Sequence, residues 1–391
     1  MLDERNTTSR FAIHYVFVLP DFRYGAGTSV LGLAQSLVRL GQRCSLIGQN
    51  APEESKCGSE VIGTSVPNLR VTEFVAFFRL VRTLRILRRG SKRPIAVTGG
   101  LWHSIPVIVA SRLAGVPVIA FERGAIAPRL ENLGGGFRRQ IGTLLISAVY
   151  ALPCAIFFNS KGSLGEFRDS FPRVGIPMHH LYSGVDVAAL KIEMSHKTFD
   201  DQIALERPRG ITALFVGRLV PAKNLSWLIS MLQSCASRPT HLQVVGDGPL
   251  RAALEVQARQ AELRNPNIRF TFTGVQSADD VRLAMTRTDV LLLSSKWEGL
   301  PRVLLEAALY GTPIVSLDTR HGPAEILAYY RYGIIVKGQD PASYWQAVLA
   351  ASRYRAEGTS PADPQDGADS PFSSFDATAS RFIGLTSQLQ C

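Results

Sequence analysis

In the stretch SSKWEGLPRVLLEAALYGTPIVSLDTRHGPAEI, Ser294 to Ile326, the carboxylates of Glu298 and Glu306 stand eight positions apart. The apolar run Val290 to Leu293 just before it reads as a strand, and the turn GLP then opens a helix with Pro301 suited to its first turn. Eight residues are a little over two helical turns, so a helical path between the two Glu would point both to nearly the same side. A strand feeding a helix N-terminus leaves backbone N–H groups and the positive dipole end facing outward, which suits an anion. Carboxylates beside such a place suit sugar or ribose hydroxyls, and the combination asks for a nucleotide sugar. Leu304, Leu305, Ala307, Ala308 and Leu309 surround Glu306 with apolar neighbours, so a carboxylate there needs a partner. Two Glu at this spacing are also what a solvated helix face carries.

The strand-turn-helix alternation recurs upstream. LFVGRLVPAKNLSWLI (Leu214 to Ile229), LQVVGDGPLRAAL (Leu242 to Leu254) and IRFTFTGVQSADDV (Ile268 to Val281) each read as one such unit. The glycines of VGDGP, Gly246 among them, also serve tight turns for steric reasons alone. In the N-terminal half, FAIHYVFVLP (Phe11 to Pro20) is a strand, DFRYGAGTS a loop with Gly25 and Gly27, VLGLAQSLVRLG a helix ended by Gly41, and QRCSLIG the next strand. PIAVTGG, VPVIAFERG and AIFFNSKGSLGEF continue the series, with a helix expected from Ser104 to Ala114. A chain of 391 residues is long for one core and natural for two α/β domains.

SxWEGLPxVLLEAxxxGTPIV followed by GPxEIL closely resembles the donor-site signature of the retaining glycosyltransferases of family four, the Glu-x7-Glu enzymes, and the upstream units stand in the family's order. The resemblance implies a GT-B fold: two Rossmann-like domains facing a central cleft, with a C-terminal helix crossing back to the N-domain. The implied boundaries are 1–186 for the acceptor-binding domain, 187–371 for the nucleotide-sugar domain and 372–391 for the returning helix, with the hinge near Asp186. Arg218 and Lys223 fall on the family's diphosphate-binding positions, a task that a planar fork and a point charge on one loop suit. With them Glu298, on the donor sugar, completes the implied catalytic set, while Glu306 would bind the ribose. Gly246, the turn Gly299, Leu300, Pro301 and Arg302, the loop glycines Gly25 and Gly27, and Glu325 are implied around the donor, Glu325 either facing phosphate or capping its own helix. One place departs from the pattern. Where many members carry a His that contacts the donor sugar, VIAFERGA holds Arg123, preceded by Glu122. His103, in the loop GGLWHS, is a candidate for sugar or acceptor alongside Glu122 and Arg123, against a purely structural role for each.

Cleavage of a sugar–phosphate bond places negative charge on the leaving diphosphate, so fixed cations and backbone N–H groups favour the transition state. No Asp-x-Asp occurs, so neither metal nor cofactor is expected, the nucleotide sugar being a substrate. The family implies front-face attack with retention. The acceptor class is a glycan or lipid-linked saccharide, as in cell-surface polysaccharide or lipopolysaccharide biosynthesis. A nucleotide-sugar epimerase of the same architecture and a non-catalytic sugar-nucleotide scaffold are the alternatives.

Composition, at 46% hydrophobic and 19% charged, excludes disordered and fibrous classes. The five cysteines are odd in number, scattered and without a CxxC pair, which argues for a reducing compartment and against a zinc site or disulfide framework. Residues 1–190 hold 22 Lys/Arg against 12 Asp/Glu, a balance of +10, while residues 191–391 hold 21 against 20, or +1. The basic excess is densest in Phe74 to Pro94, where Phe77, Leu80, Leu84 and Leu87 share one helical face and Arg79, Arg82, Arg85 and Arg89 another. This form suits an anionic membrane surface, or equally a core-packing helix with a solvated Arg face. A nucleic-acid partner is not expected, since no binding motif accompanies the basic patch. Gln140 to Phe158 is uncharged but divided by Pro153, so it reads as helix, break and strand rather than a membrane span. MLDERNTTSR lacks the apolar core of a signal peptide, and a cytoplasmic protein, peripheral at most on the membrane's cytoplasmic face, is expected.

Overall fold

The computed structural model describes residues 13–22, 25–51, 60–62, 74–90, 93–131, 134–185, 210–356, 372 and 374–389. The chain divides into two compact units, Met1–Asp186 with Ser373–Cys391, and Val187–Phe372. The hinge expected near Asp186 lies outside the described residues.

The first unit is built on a parallel sheet of strands β1 (His14–Asp21), β2 (Arg43–Gln49), β3 (Glu60–Ile62), β4 (Pro94–Gly99), β5 (Val118–Glu122), β6 (Ala155–Phe158) and β7 (Met178–His180). Their spatial order is β3-β2-β1-β4-β5-β6-β7. Successive residues of β1 enter opposite cores: Val16 and Val18 join Leu80, Leu84, Ile108 and Tyr150, while Tyr15 and Phe17 join Leu33, Leu37 and Phe382. Both faces are therefore apolar and both are covered by helices, as a parallel sheet requires. Helices α1 (Gly25–Arg39), α2 (Phe74–Gly90), α3 (Leu101–Ala114), α4 (Ala127–Glu131), α5 (Phe137–Tyr150) and α6 (Lys161–Ser170) follow in chain order. The expected helix–break–strand reading of Gln140 to Phe158 corresponds to α5, a turn and β6. Among the described residues no helix is long and apolar enough to cross a membrane. Arg79, Arg82, Arg85 and Arg89 are exposed on α2, and Arg85 Nη2 donates to the carbonyl of Leu113 at the end of α3, 3.1 Å away.

The last helix, α13 (Phe375–Ser387), belongs to this first unit. Ser374 caps it by accepting from Ala377 N at 3.2 Å, and Arg39 of α1 holds Asp376 at 2.6 Å. Phe382 is fully buried, its ring 5.3 Å from that of Tyr15 and 5.1 Å from that of Phe157. Tyr15 Oη and Thr386 Oγ1 share a hydrogen bond of 2.6 Å, and burial pushes the phenol up to about 12.

The second unit is a parallel sheet ordered β10-β9-β8-β11-β12-β13, from strands β8 (Ile211–Val216), β9 (Thr240–Val245), β10 (Ile268–Gly274), β11 (Val290–Leu293), β12 (Ile314–Leu317) and β13 (Gly333–Val336). Helices α7 (Leu225–Cys235), α8 (Arg251–Arg264), α9 (Ala278–Arg287), α10 (Arg302–Leu309), α11 (Pro323–Leu327) and α12 (Pro341–Ala356) connect them. Asp289 Oδ2 accepts from both Thr212 N (2.8 Å) and Thr212 Oγ1 (2.7 Å), pinning the start of β11 to β8. At the other end of β11, buried Tyr344 donates towards the carbonyls of Leu293 (3.3 Å) and Val315 (3.0 Å).

Three expectations are corrected. The helix placed at Ser104 starts at Leu101, so His103 lies in the first helical turn rather than a loop. Helix α10 begins at Arg302 with Pro301 as an extended N-cap, so Glu298 and Glu306 do not share a helix. Cys44 and Cys235 carry no disulfide but Cys154 is disulfide-bonded, because sequence scatter says nothing of spatial neighbours.

Replacing Phe382 by Ala removes a side chain buried between two others and is expected to cost about 3–5 kcal/mol. A urea titration followed by circular dichroism checks this, as a fall in midpoint at unchanged slope.

Candidate functional site

In the second unit, β8 lies between β9 and β11, so the chain leaves it in one direction and returns on its other side. The crevice beyond the carboxyl ends of strands at such a reversal is where open α/β sheets receive ligands. The residues selected from sequence gather there. The loop after β8 carries Arg218, which is exposed, and a 3₁₀ turn, Pro221–Lys223, that ends on Asn224 in the left-handed region (φ 54°). Lys223 Nζ reaches Glu298 Oε1 in the loop after β11, 2.5 Å away and mostly shielded from solvent. Ser295 Oγ donates to the same Oε1 at 2.5 Å. Beneath the pair, Ser294 Oγ donates to the carbonyl of Lys223 (2.9 Å) and Lys296 N to that of Ala222 (2.8 Å). Two loops 75 residues apart in sequence are thus sewn together by side chain and backbone.

Two glycines let further loops close on this point. Gly246 follows β9 at φ +131°, and a Cβ there would stand 2.0 Å from the carbonyl oxygen of Gly217. Gly322 precedes α11 at φ +87°, and a Cβ there would stand 2.5 Å from the oxygen of Gly299 and 2.6 Å from Pro301 Cδ. Only glycine fits either place, so the turns holding Gly246, Gly299, Leu300 and Pro301 come into one neighbourhood. Gly299, Leu300 and Pro301 are buried, and Glu325 sits in the first turn of α11 beside them.

Glu306 faces Arg302 from the next turn of α10, with Arg302 Nη2 3.3 Å from its Oε1. Loss of solvent raises the Glu306 pKa above the ordinary carboxylate value, opposed by the charges of Arg302 and of Arg282 on α9. The second guanidinium was not legible in the sequence, because Arg282 belongs to another βα unit. Ser294 and Ser295 were passed over as well, although they immediately precede the quoted turn.

In the first unit the strand order reverses between β1 and β4. Gly25 and Gly27 open α1 after β1, and His103 lies in the first turn of α3 after β4. Arg123 follows β5, with Cζ 4.3 Å above the Phe121 ring, a cation–π contact that orients the guanidinium. Glu122 is fully buried, and its Oε1 accepts from Tyr150 Oη (2.5 Å) and Ser104 Oγ (3.1 Å), which joins β5 to α3 and α5.

A raised folded-state pKa means that the native protein holds its proton on Glu306 more tightly than the unfolded chain does, so this residue's stability contribution falls as pH rises through the raised value. Glu306→Gln is therefore expected to melt above the wild type at pH 7–8, the gap closing as pH falls towards about 4. Differential scanning calorimetry across that range checks the sign.

Residues 210–353 match the family model of the glycosyl transferases group 1. Among curated proteins, the 2-deoxystreptamine glucosyltransferase of Streptomyces kanamyceticus is 34% identical over 57% of this chain and 58% of its own length. The 2-deoxystreptamine N-acetyl-D-glucosaminyltransferase of Niallia circulans is 36% identical over 32% of this chain and 31% of its own. The N-acetylgalactosamine-N,N'-diacetylbacillosaminyl-diphospho-undecaprenol 4-alpha-N-acetylgalactosaminyltransferase of Campylobacter jejuni is 25% identical over 56% and 57%. The chain thus spans less than two thirds of each of these relatives. Likeness of fold extends further: HepE of Anabaena, solved with UDP and glucose, superposes with a TM-score of 0.72 at 15% identity over 96% of this chain and 100% of its own. Sucrose-phosphate synthase of Thermosynechococcus elongatus gives 0.74 at 14% identity over 96% and 99%. The chain has the GT-B fold of these structures, and its residues 210–353 are matched by the glycosyl transferases group 1.

Proposed function

We propose that the protein is a retaining glycosyltransferase moving a sugar from a nucleotide-sugar donor to a glycan or lipid-linked saccharide of the cell surface, on the cytoplasmic side where such donors are made. The observation that carries this reading is the Lys223–Glu298 pair at the β8/β11 reversal, 2.5 Å long and set beside the N-terminus of α10. A diphosphate bound there meets Arg218, Lys223 and the amides around Gly299 to Arg302. Charge on the leaving group is stabilised by groups already fixed in place, without reorganisation at the moment of reaction. These cations do the work that a metal does elsewhere, so transfer is independent of divalent ions.

Glu298 has two tasks in this scheme. Its Oε1 holds the Lys223 ammonium and the Ser295 hydroxyl, and its Oε2 meets a hydroxyl of the donor sugar. Glu306 accepts from the ribose hydroxyls; partial burial weakens its hold on charge, and a bound diol adds hydrogen bonds to the carboxylate. Attack comes from the face on which the phosphate leaves, the departing oxygen taking the acceptor's proton and configuration being retained. That HepE holds UDP and glucose on the same fold favours a uridine nucleotide, with a guanosine nucleotide the other candidate. The Campylobacter relative, named for a diphospho-undecaprenol-linked saccharide, favours a lipid-linked acceptor.

Thermal shift against UDP-, GDP-, ADP-, dTDP- and CMP-sugars tests the donor, because a bound ligand raises the melting temperature by mass action. One nucleotide family is expected to stabilise the protein, the shift being lost in Lys223→Ala and reduced in Glu306→Ala. Turnover of that donor is expected to fall more than about tenfold in Lys223→Ala, the loss of a charge-assisted contact. Equal shifts in wild type and both variants sink the assignment.

A further inference from the structure

Helix α5 is turned inside out. Ile146 and Tyr150 anchor it to the core, yet Phe137, Ile141, Leu144 and Leu145 are exposed on its opposite side, Phe137 at 75% and Leu145 at 64%. Their spacings of four, three and one place them on one stripe about 100° wide, which in a soluble helix faces the core. The helix packs on α3, and α3 on α2, within one layer over the same sheet face. Across the three helices there is no Asp or Glu, whereas five Arg lie on α2, one on α3 and two, Arg138 and Arg139, on α5. The sequence holds no acid between Glu73 and Glu122 or between Glu131 and Glu166. Arg138 is exposed at the edge of the α5 stripe, Arg139 is exposed further round the same first turn, and α2 adds exposed Phe78 and Ile86 among its own Arg residues.

We infer that this three-helix layer is a docking face for an anionic bilayer, with the α5 stripe entering the acyl boundary and the Arg side chains meeting headgroup phosphates. The occupant follows from the charge. A water-soluble protein partner of mixed surface charge leaves many of eight cations without counter-ions, whereas a sheet of lipid phosphates supplies them continuously. Exposed Phe and Leu side chains gain by leaving water only where an apolar phase is offered, and an interfacial helix pairs these two features. The basic α2 alone is consistent with an ordinary solvated surface; the outward stripe of α5 is not. The inference stands independently of the transfer reading, since it concerns adsorption and not chemistry.

The test is co-sedimentation of the full chain with vesicles of phosphatidylcholine alone or with about 30 mol% phosphatidylglycerol. Binding is expected to the anionic vesicles, to fall steeply with salt, and to weaken about tenfold in Leu144→Gln/Leu145→Gln, two partly inserted side chains. Arg138→Gln/Arg139→Gln is expected to weaken it by a similar factor. Leu263→Gln, a still more exposed leucine on α8 of the other unit, is expected to change nothing. Equal binding by wild type and the α5 double variants overturns the proposal. So does equal binding to neutral vesicles, or vesicle-independent self-association or nucleic-acid binding that the same substitutions abolish. Unchanged melting curves show that the surface variants are folded.

Discussion

Parallel strands joined through helices send all of their outgoing turns to one edge of the sheet, and this constraint organises both units of the chain. Each strand must be apolar on both faces, so each turn inherits whatever chemistry the protein needs at that edge. In the second unit the consequence is concrete. Neighbouring strands β8 and β11 deliver Lys223 and Glu298 to one spot from places 75 residues apart, and serine hydroxyls and backbone amides fix the two loops to each other. The loops after β9 and before α11 approach only because Gly246 and Gly322 present no Cβ. The charged pair is thus held by a frame that exists before any ligand arrives.

Much of the second unit was legible because its strands are short apolar runs bounded by Gly and Pro, and the turns that follow them carry the charged residues in sequence order. The last helix was expected from the resemblance, and Phe375, Ala379 and Phe382 stand in it at near-helical spacing. What sequence could not give was the third dimension between units of secondary structure. The eight-residue interval from Glu298 to Glu306 looked like two turns of one helix, but α10 begins only at Arg302, so the two carboxylates have different partners. Arg282 reaches the neighbourhood of Glu306 from α9, and no local pattern announces that. Glu122 stands next to a motif position and is fully buried, where Tyr150 and Ser104 supply the hydroxyls that make its burial tolerable.

The outward apolar stripe of α5 failed to show for a related reason. In one dimension an apolar stripe signifies the core, and only the placement of Ile146 and Tyr150 shows which side of the helix is already occupied. The strong basic bias of the first 190 residues was visible at once, but its meaning depends on whether the cations sit beside apolar surface.

The return of α13 to the first unit also bears on the order in which the molecule is made. Tyr15 and Thr386, which share a hydrogen bond, are 371 residues apart, and Phe382 completes a core whose other walls come from the first half of the chain. During synthesis the second unit emerges whole while the first still lacks one helix of the layer it shares with α1. The half that is translated first is thus the half that finishes folding last, and until α13 is made the part of the sheet face it covers, lined by Tyr15 and Phe157, is a surface a chaperone has reason to hold.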